Sequence, residues 1–379
     1  MKAIVNGKII LPDTKGNFFV DDKILIYDEK IISLENSFAD FKVDEIIDAE
    51  NNFVAPGFIN IHIHGCNGHD TMDEDAAALD GMIKFLPSCG VTSFLPTTMT
   101  MSVDRIKHAL KNIRGKMNHN LRGAKILGAH LEGPFINAKF KGAQAEKFIL
   151  PADFEIFAEF ADVIKIVTIS PEFAAENFIK RCRAENIIVS IGHSAATYEE
   201  ALTAIERGAS HVTHLFNAQT GLHHRKPGIV GAALTSNVIV ELIADNVHVH
   251  PAAQKIVAKV KPRDEIILIT DSIRACGIGD GISELGGQKV FVKGNLATLE
   301  DGTLVGSVAT MNNVVKNFAS NCGLNVAEVV ELVTKNPARE LKIFDKVGSI
   351  EPGKAADLVI FDENFNIKHT IIDGQILFG

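Results

Sequence analysis

The stretch INIHIHG, Ile59 to Gly65, sets two histidines two positions apart in a run of β-branched residues. On a strand, successive side chains face opposite sides, so residues two apart share a face. His62 and His64 are expected to look one way, Ile61 and Ile63 the other. Alone, the pair fits a strand end with two solvent-facing histidines as well as a grip on a cation. The rest of the chain decides between them.

The pattern around this stretch repeats. FINIHIH, VTSFLPTT, ILGAHLE, VIKIVTIS, IIVSIGH, HVTHLFN, VIVELIAD and IILITD are apolar runs bounded by turn residues. Helix-like segments such as DEDAAALDGMIKFL and ATYEEALTAIERG alternate with them. Such alternation predicts a parallel sheet with crossover helices. Eight units point to an α/β protein built on a (β/α)8 TIM-type barrel over residues 55–344, rather than an open doubly wound sheet. Residues 277–307 break the pattern as a Gly-rich loop with a short β excursion after the eighth strand. Residues 1–54 and 345–379 read instead as short strands with turns at Asn6-Gly7, Asp28 to Lys30 and Asp373-Gly374. The two ends are expected to meet in one small β domain.

The 379 residues are 46% hydrophobic and carry a net charge of −9. No basic cluster stands out, which argues against nucleic acid and anionic membrane as partners. An acidic chain that binds an anion must do so in a local pocket. Cys66, Cys89, Cys182, Cys276 and Cys322 are odd in number and hold no C-x-x-C pair, so reduced thiols and a cytoplasmic location are expected. The N-terminus alternates like a strand and lacks the apolar region of a signal peptide, and no apolar run reaches the ~18 residues that span a bilayer.

Polar residues fall at one end of these strands. His62 and His64 end the first, Glu132 the third, His193 the fifth and Asp271 the eighth; His214 is near the end of the sixth, and His248 follows the seventh. In a barrel these ends converge on one mouth, where active sites sit. Each residue alone has a structural explanation: His193 or Asp271 can cap a helix, and Glu132 can pair with a cation. Their joint placement points to a divalent metal site, with zinc favoured and iron, cobalt or manganese compatible with nitrogen and oxygen donors. His130 shares the face of Glu132 and is expected behind the ligands; His211, at odd spacing from His214, is expected to be structural. A carboxylate beside an activated water can take its proton and hand it to a leaving group, the role expected of Asp271. The donor set suits hydrolysis of an amide or related C–N bond. After His214, the loop with Asn217, Ala218, His223, His224, Arg225 and Lys226 can hold an anion through backbone N–H groups and a bidentate arginine.

At PGFINIHIHG, HLEGPFI with KGAQ, IGHSAAT, THLFNAQTGLHHRKPG, ADNVHVHP, ITDSIRACG, DGTLVGS, NPARELKI and GSIEPGKAADLVIFD the chain resembles the amidohydrolase superfamily. HLEGP and THLFNA resemble, more narrowly, its amino-sugar-phosphate deacetylase branch. The resemblance implies a barrel with a β-sandwich built from both chain ends, and hydrolysis of N-acetyl-D-glucosamine 6-phosphate to D-glucosamine 6-phosphate and acetate. It implies that Glu132, His193 and His214 hold the principal metal, that Glu132 replaces a bridging lysine, and that His62 and His64 belong to a second position. One or two metals per subunit are then expected, with Asp271 as base and acid that also touches the second. His248, Arg225 and the backbone at Asn217 and Ala218 would bind the sugar phosphate, Arg225 reaching the neighbouring subunit of a homodimer. Gln144 stands where some members carry a histidine; it can donate to the acetyl oxygen but carries no titrating proton. Met311 is placed either near the sugar or in the core. A cyclic amidase or deaminase would share the metal but not the phosphate pocket, and a non-catalytic scaffold would use the metal only to hold its fold.

Overall fold

The computed structural model describes residues 1–37, 41–117, 122–174 and 176–379. The apolar runs of the middle form strands β1 (Phe58–Ile63), β2 (Val91–Pro96), β3 (Ala129–Glu132), β4 (Ile164–Ile169), β5 (Ile188–Ile191), β6 (His211–Val212), β7 (Ile239–Ile243) and β8 (Ile266–Ile269). Strands β3 to β8 make one six-stranded sheet in chain order, every pair parallel. Strands β1 and β2 pair in parallel, and β2 also pairs with Lys125–Ile126. Backbone hydrogen bonds run across both seams: the Thr98 N–H donates to the His130 carbonyl at 3.0 Å, and the Asp271 N–H to the His62 carbonyl at 3.0 Å.

Helices Ala77–Phe85, Val103–Met117, Glu176–Ala184, Tyr198–Arg207, Gly228–Thr235 and Pro251–Val260 follow β1, β2, β4, β5, β6 and β7. The connection after β3 holds short 3-10 turns instead, among them Ala138–Phe140. Tyr198–Arg207 shows why the boundaries are sharp: Thr197 and Glu200 form a reciprocal capping box at its start, and Gly208 ends it in the left-handed conformation. Because the strands are covered on both faces, one apolar set (Ile61, Leu95, Ile166, Ile243, Ile267) packs separately from a larger one beneath the helices. This double burial makes the runs continuously apolar.

Strict alternation fails in β1. Ile61 and Ile63, expected on one face, pack in different apolar clusters. The β1–β2 pairing shifts register between Phe94 and Pro96, and such an irregularity re-aims the side chains beside it.

The chain ends contribute two more sheets. One has the order Ile31–Glu35, Ile24–Tyr27, Lys2–Val5, Glu45–Asp48. The other runs Gln375–Phe378, Ile367–Ile372, Leu358–Phe361, Phe53–Pro56, Lys8–Pro12, Phe18–Asp21. Both chain ends thus share a sheet, and the two sheets share an apolar core that includes Ile4, Leu25, Ile9, Val54, Leu358 and Ile371. The turns at Asp28 to Lys30 and Asp373-Gly374 close antiparallel hairpins, the latter with both residues at positive φ. Asn6-Gly7 does not: Lys2–Val5 and Lys8–Pro12 lie in different sheets. The chain crosses between sheets there, and a Cβ at Gly7 would stand 2.7 Å from the Val54 side chain, so the glycine serves close approach rather than a hairpin turn.

The excursion after β8 is a three-stranded antiparallel sheet, β9 (Gly281–Leu285), β10 (Gln288–Lys293) and β11 (Leu296–Thr298). It is tied to the loop after β3 by the Gln288 amide, which donates to the Ala143 carbonyl at 2.6 Å.

Candidate metal centre and its cavity

The polar strand ends meet. Glu132 is buried at the end of β3. Its Oε1 lies 3.0 Å from His214 Nε2, 3.2 Å from His193 Nε2 and 3.6 Å from His62 Nε2. Its Oε2 lies 3.2 Å from His64 Nε2. Asp271 Oδ1 lies 3.2 Å from His64 Nε2 and 3.3 Å from His62 Nε2. The chain bends sharply to bring them here: His193, His214 and Asp271 have φ of 46°, 28° and 48°, in the left-handed region that non-glycine residues rarely adopt. Backbone strain of this kind gathers at functional sites.

The donors fit a divalent cation. His193 Nδ1–H donates to the Phe140 carbonyl at 2.9 Å, which turns Nε2 toward Glu132 Oε1, 3.2 Å away. Two imidazole nitrogens 3.1 Å apart cannot both accept from each other, yet Glu132, His193 and His214 crowd their ligand atoms into one triangle. A tetrahedral zinc with bonds of ~2.0–2.1 Å has ligand–ligand edges of about 3.3 Å, close to what is found. His62, His64 and Asp271 make a second donor group that shares Glu132 with the first.

Charges in the cluster depend on one another. Burial would raise the Glu132 carboxyl, but the neighbouring imidazoles of His193 and His62 hold it well below the usual range. Burial would lower His214, but its hydrogen bond to Glu132 and the field of Asp271 push it up to about 9. A cation that takes His214 must displace that proton. Apparent cation affinity is therefore expected to rise steadily from pH 6 to pH 9. Competition against a chromophoric chelator across that range checks this, and a flat profile would contradict it.

Glu241, unremarked in the sequence, is the hub beneath the candidate ligands. It is fully buried, and its Oε2 accepts from His62 Nδ1 at 2.8 Å and from the His214 backbone N–H at 3.1 Å. Its Oε1 lies 3.2 Å from His211 Nε2, whose other ring nitrogen lies 3.3 Å from Glu340. The available signal was a lone charge inside the apolar run VIVELIAD. His130 is also behind the candidate ligands: Nδ1 bonds the Ile61 carbonyl at 3.2 Å and Nε2 the Thr168 hydroxyl at 2.8 Å. Burial, aided by His62, pushes it down to about 3, so it is neutral near pH 7. His64 Nδ1 is turned to the Thr97 carbonyl at 3.2 Å, which aims its Nε2 at the acids.

A cavity of about 360 Å³ opens on these groups. Gln144, Asn217, Ala218 and His248 line it with them. Gln144 is held from both ends: its Oε1 accepts the Thr100 N–H at 2.6 Å and its Nε2 donates to Glu132 Oε2 at 2.9 Å. His248 is fixed by Asp245 at 2.6 Å. Two expected residues stand elsewhere. Met311 is buried in the core at the start of helix Met311–Cys322 and lines a different, smaller cavity. Arg225 is exposed on the loop after β6, where its guanidinium donates to His224 Nε2 at 2.7 Å.

The chain matches the amidohydrolase family model over residues 53–377. It is 43% identical to N-acetylglucosamine-6-phosphate deacetylase of Bacillus subtilis, with 88% of this chain and 87% of that protein covered. It is 34% identical to N-acetylgalactosamine-6-phosphate deacetylase of Escherichia coli O157:H7, covering 87% of this chain and 89% of the relative. Among solved structures, N-acetylglucosamine-6-phosphate deacetylase of Thermotoga maritima superposes with a TM-score of 0.89 at 37% identity over 99% of both chains. The family model spans most of the chain, and relatives more than 30% identical cover most of it as well: this protein belongs to the amidohydrolase family.

Proposed function

We propose that the protein hydrolyses N-acetyl-D-glucosamine 6-phosphate to D-glucosamine 6-phosphate and acetate. The observation that carries this reading is the convergence of Glu132, His193 and His214 within 3.0–3.2 Å of one another, with Asp271 beside them, on a cavity. Glu132, His193 and His214 would hold the principal cation, and His62, His64 and Asp271 a second. Zinc suits the donors best, with iron, cobalt and manganese as alternatives. A bound divalent cation lowers the pKa of its water toward ~7 and polarises a carbonyl oxygen.

The chain's own residues do the rest. Asp271 accepts the proton of the attacking water at a carboxylate oxygen. As the C–N bond breaks it returns a proton to the amine nitrogen, so acetate and the free amino sugar leave. Gln144, its oxygen occupied by Thr100, has only N–H groups to offer and donates to the acetyl oxygen. His248 and the backbone at Asn217 and Ala218 hold the sugar, and Met311 acts only through packing.

Arg225 binds the phosphate of the neighbouring subunit's substrate in a homodimer; its exposure away from its own cavity supports this. Arg225→Ala is expected to raise KM for the phosphorylated sugar at least ~10-fold, the scale of a lost charge-assisted hydrogen bond, and to leave unphosphorylated N-acetylglucosamine nearly unchanged. Steady-state acetate release on both sugars checks this; equal effects would remove Arg225 from phosphate recognition.

The seam hydrogen bonds between β2 and β3 and between β8 and β1 support a closed (β/α)8 barrel over residues 55–344. The shared core of the terminal sheets supports a β-sandwich of residues 1–54 and 345–379. The free, mostly buried cysteines suit a reducing, cytoplasmic setting. The Escherichia coli relative favours a second substrate, the galactosamine epimer. Acetate release on both epimers, with elemental analysis of protein purified without added metal, tests the proposal. Absence of turnover on either sugar in metal-loaded protein would overturn it.

A further inference from the structure

We infer that Lys139 is a phosphate-reading residue supplied by the chain's own subunit, independent of Arg225; this rests on the phosphorylated-substrate reading above. The cavity lining holds the carboxylates of Glu132 and Asp271 and four imidazoles, and Lys139 is the one lysine or arginine among the described residues that line it. No ion pair or side-chain hydrogen bond of Lys139 is found among the described residues. Lys139 is exposed, whereas several buried or half-buried lysines are paired. Lys107, Lys116, Lys125, Lys261, Lys335 and Lys354 each contact a carboxylate. Lys139 alone faces the site with its charge uncompensated.

Its base is rigid while its tip is free. The turn Ala138–Phe140 is stapled to the metal-ligand loop: the Asn137 N–H donates to the His193 carbonyl at 2.8 Å, and His193 Nδ1–H donates to the Phe140 carbonyl at 2.9 Å. The Asn137 side chain accepts the Lys139 backbone N–H at 2.8 Å and donates to Glu172 at 2.7 Å. Glu172 in turn takes the Ser194 hydroxyl and the Ala195 N–H at 2.6 and 2.7 Å. The lysine stem is thus anchored to the loop that carries His193, at a fixed place on the cavity wall. An ammonium there offers a point charge to an anionic group on a substrate whose acetyl end lies at the cation. In a chain of net charge −9, a dianionic substrate entering a cavity that holds the carboxylates of Glu132 and Asp271 gains from such a group.

The test compares wild type, Lys139→Ala and Lys139→Arg in the metal-loaded enzyme, by acetate release from N-acetylglucosamine with and without the 6-phosphate. Lys139→Ala is expected to raise KM for the phosphorylated sugar at least about tenfold, with kcat and the constants for the unphosphorylated sugar within about twofold. Lys139→Arg should restore most of the loss, since the charge remains. An equal effect on both sugars, or none on either, would overturn the inference while leaving the substrate reading intact. Wild type that does not distinguish the two sugars would overturn the substrate reading, and the role of Lys139 with it.

Discussion

Asp271→Asn is expected to retain cation at Glu132, His193 and His214 but to lose at least ~10²-fold in turnover, the scale of general acid–base catalysis. The substitution is nearly isosteric. Asparagine tolerates the left-handed backbone, so the φ of 48° at this position should survive. What changes is the proton chemistry. The Asp271 carboxyl is buried, which would raise it, but His62 and His64 together hold it below its ordinary value, so it stands ready as a base. An amide oxygen there accepts a hydrogen bond but not a proton. Only the second donor group loses a ligand atom, because Oδ1 faces His62 and His64 and not His193 or His214. Metal content by elemental analysis and kcat at saturating substrate separate the two effects. A variant with one cation and near-normal turnover would remove Asp271 from the reaction.

Glu241→Gln should weaken cation affinity by ~10–100-fold although Glu241 is not itself a proposed ligand, the usual cost of disturbing the groups behind metal-binding histidines. Glu241 fixes His62 through Nδ1 and the His214 backbone through its N–H, so both imidazoles lose their aim together. Stability should fall as well, since breaking a buried ion pair costs roughly 3–5 kcal/mol. The pH dependence has a definite sign. Burial would lower His211, but Glu241 and Glu340 push it up to about 9. A raised folded-state pKa gives stability that is fully present below the unfolded value near ~6.5 and is lost as pH rises through about 9. Wild type should therefore lose stability toward alkaline pH more steeply than Glu241→Gln. Chelator competition and thermal melts at pH 6 and pH 9 check both parts. Unchanged affinity with a lowered melting temperature would make Glu241 purely structural.

Much of the candidate site was legible because strands carry a simple period. His62 and His64, Glu132, His193 and Asp271 could be picked out as polar residues ending apolar runs. Glu241 escaped because it sits mid-strand, where a single charge looks like an interruption rather than a ligand support. Asn6-Gly7 misled because the local turn signal says nothing about which sheet each flanking strand joins. Ile61 and Ile63 misled because alternation holds only where register is regular.

From the residues alone came the αβ alternation, the strand-rich ends and the chemical type of the site, all of which depend on neighbours close in the chain and on side-chain polarity. Tertiary structure alone decided three things: that Glu241 lies under three histidines, that Arg225 and Met311 stand away from the cavity, and that Lys139 faces it unpaired. Those depend on contacts between segments up to 179 residues apart, as between His62 and Glu241, and on left-handed backbone at His193, His214 and Asp271. Local propensity disfavours that backbone, so only packing of the whole molecule can impose it.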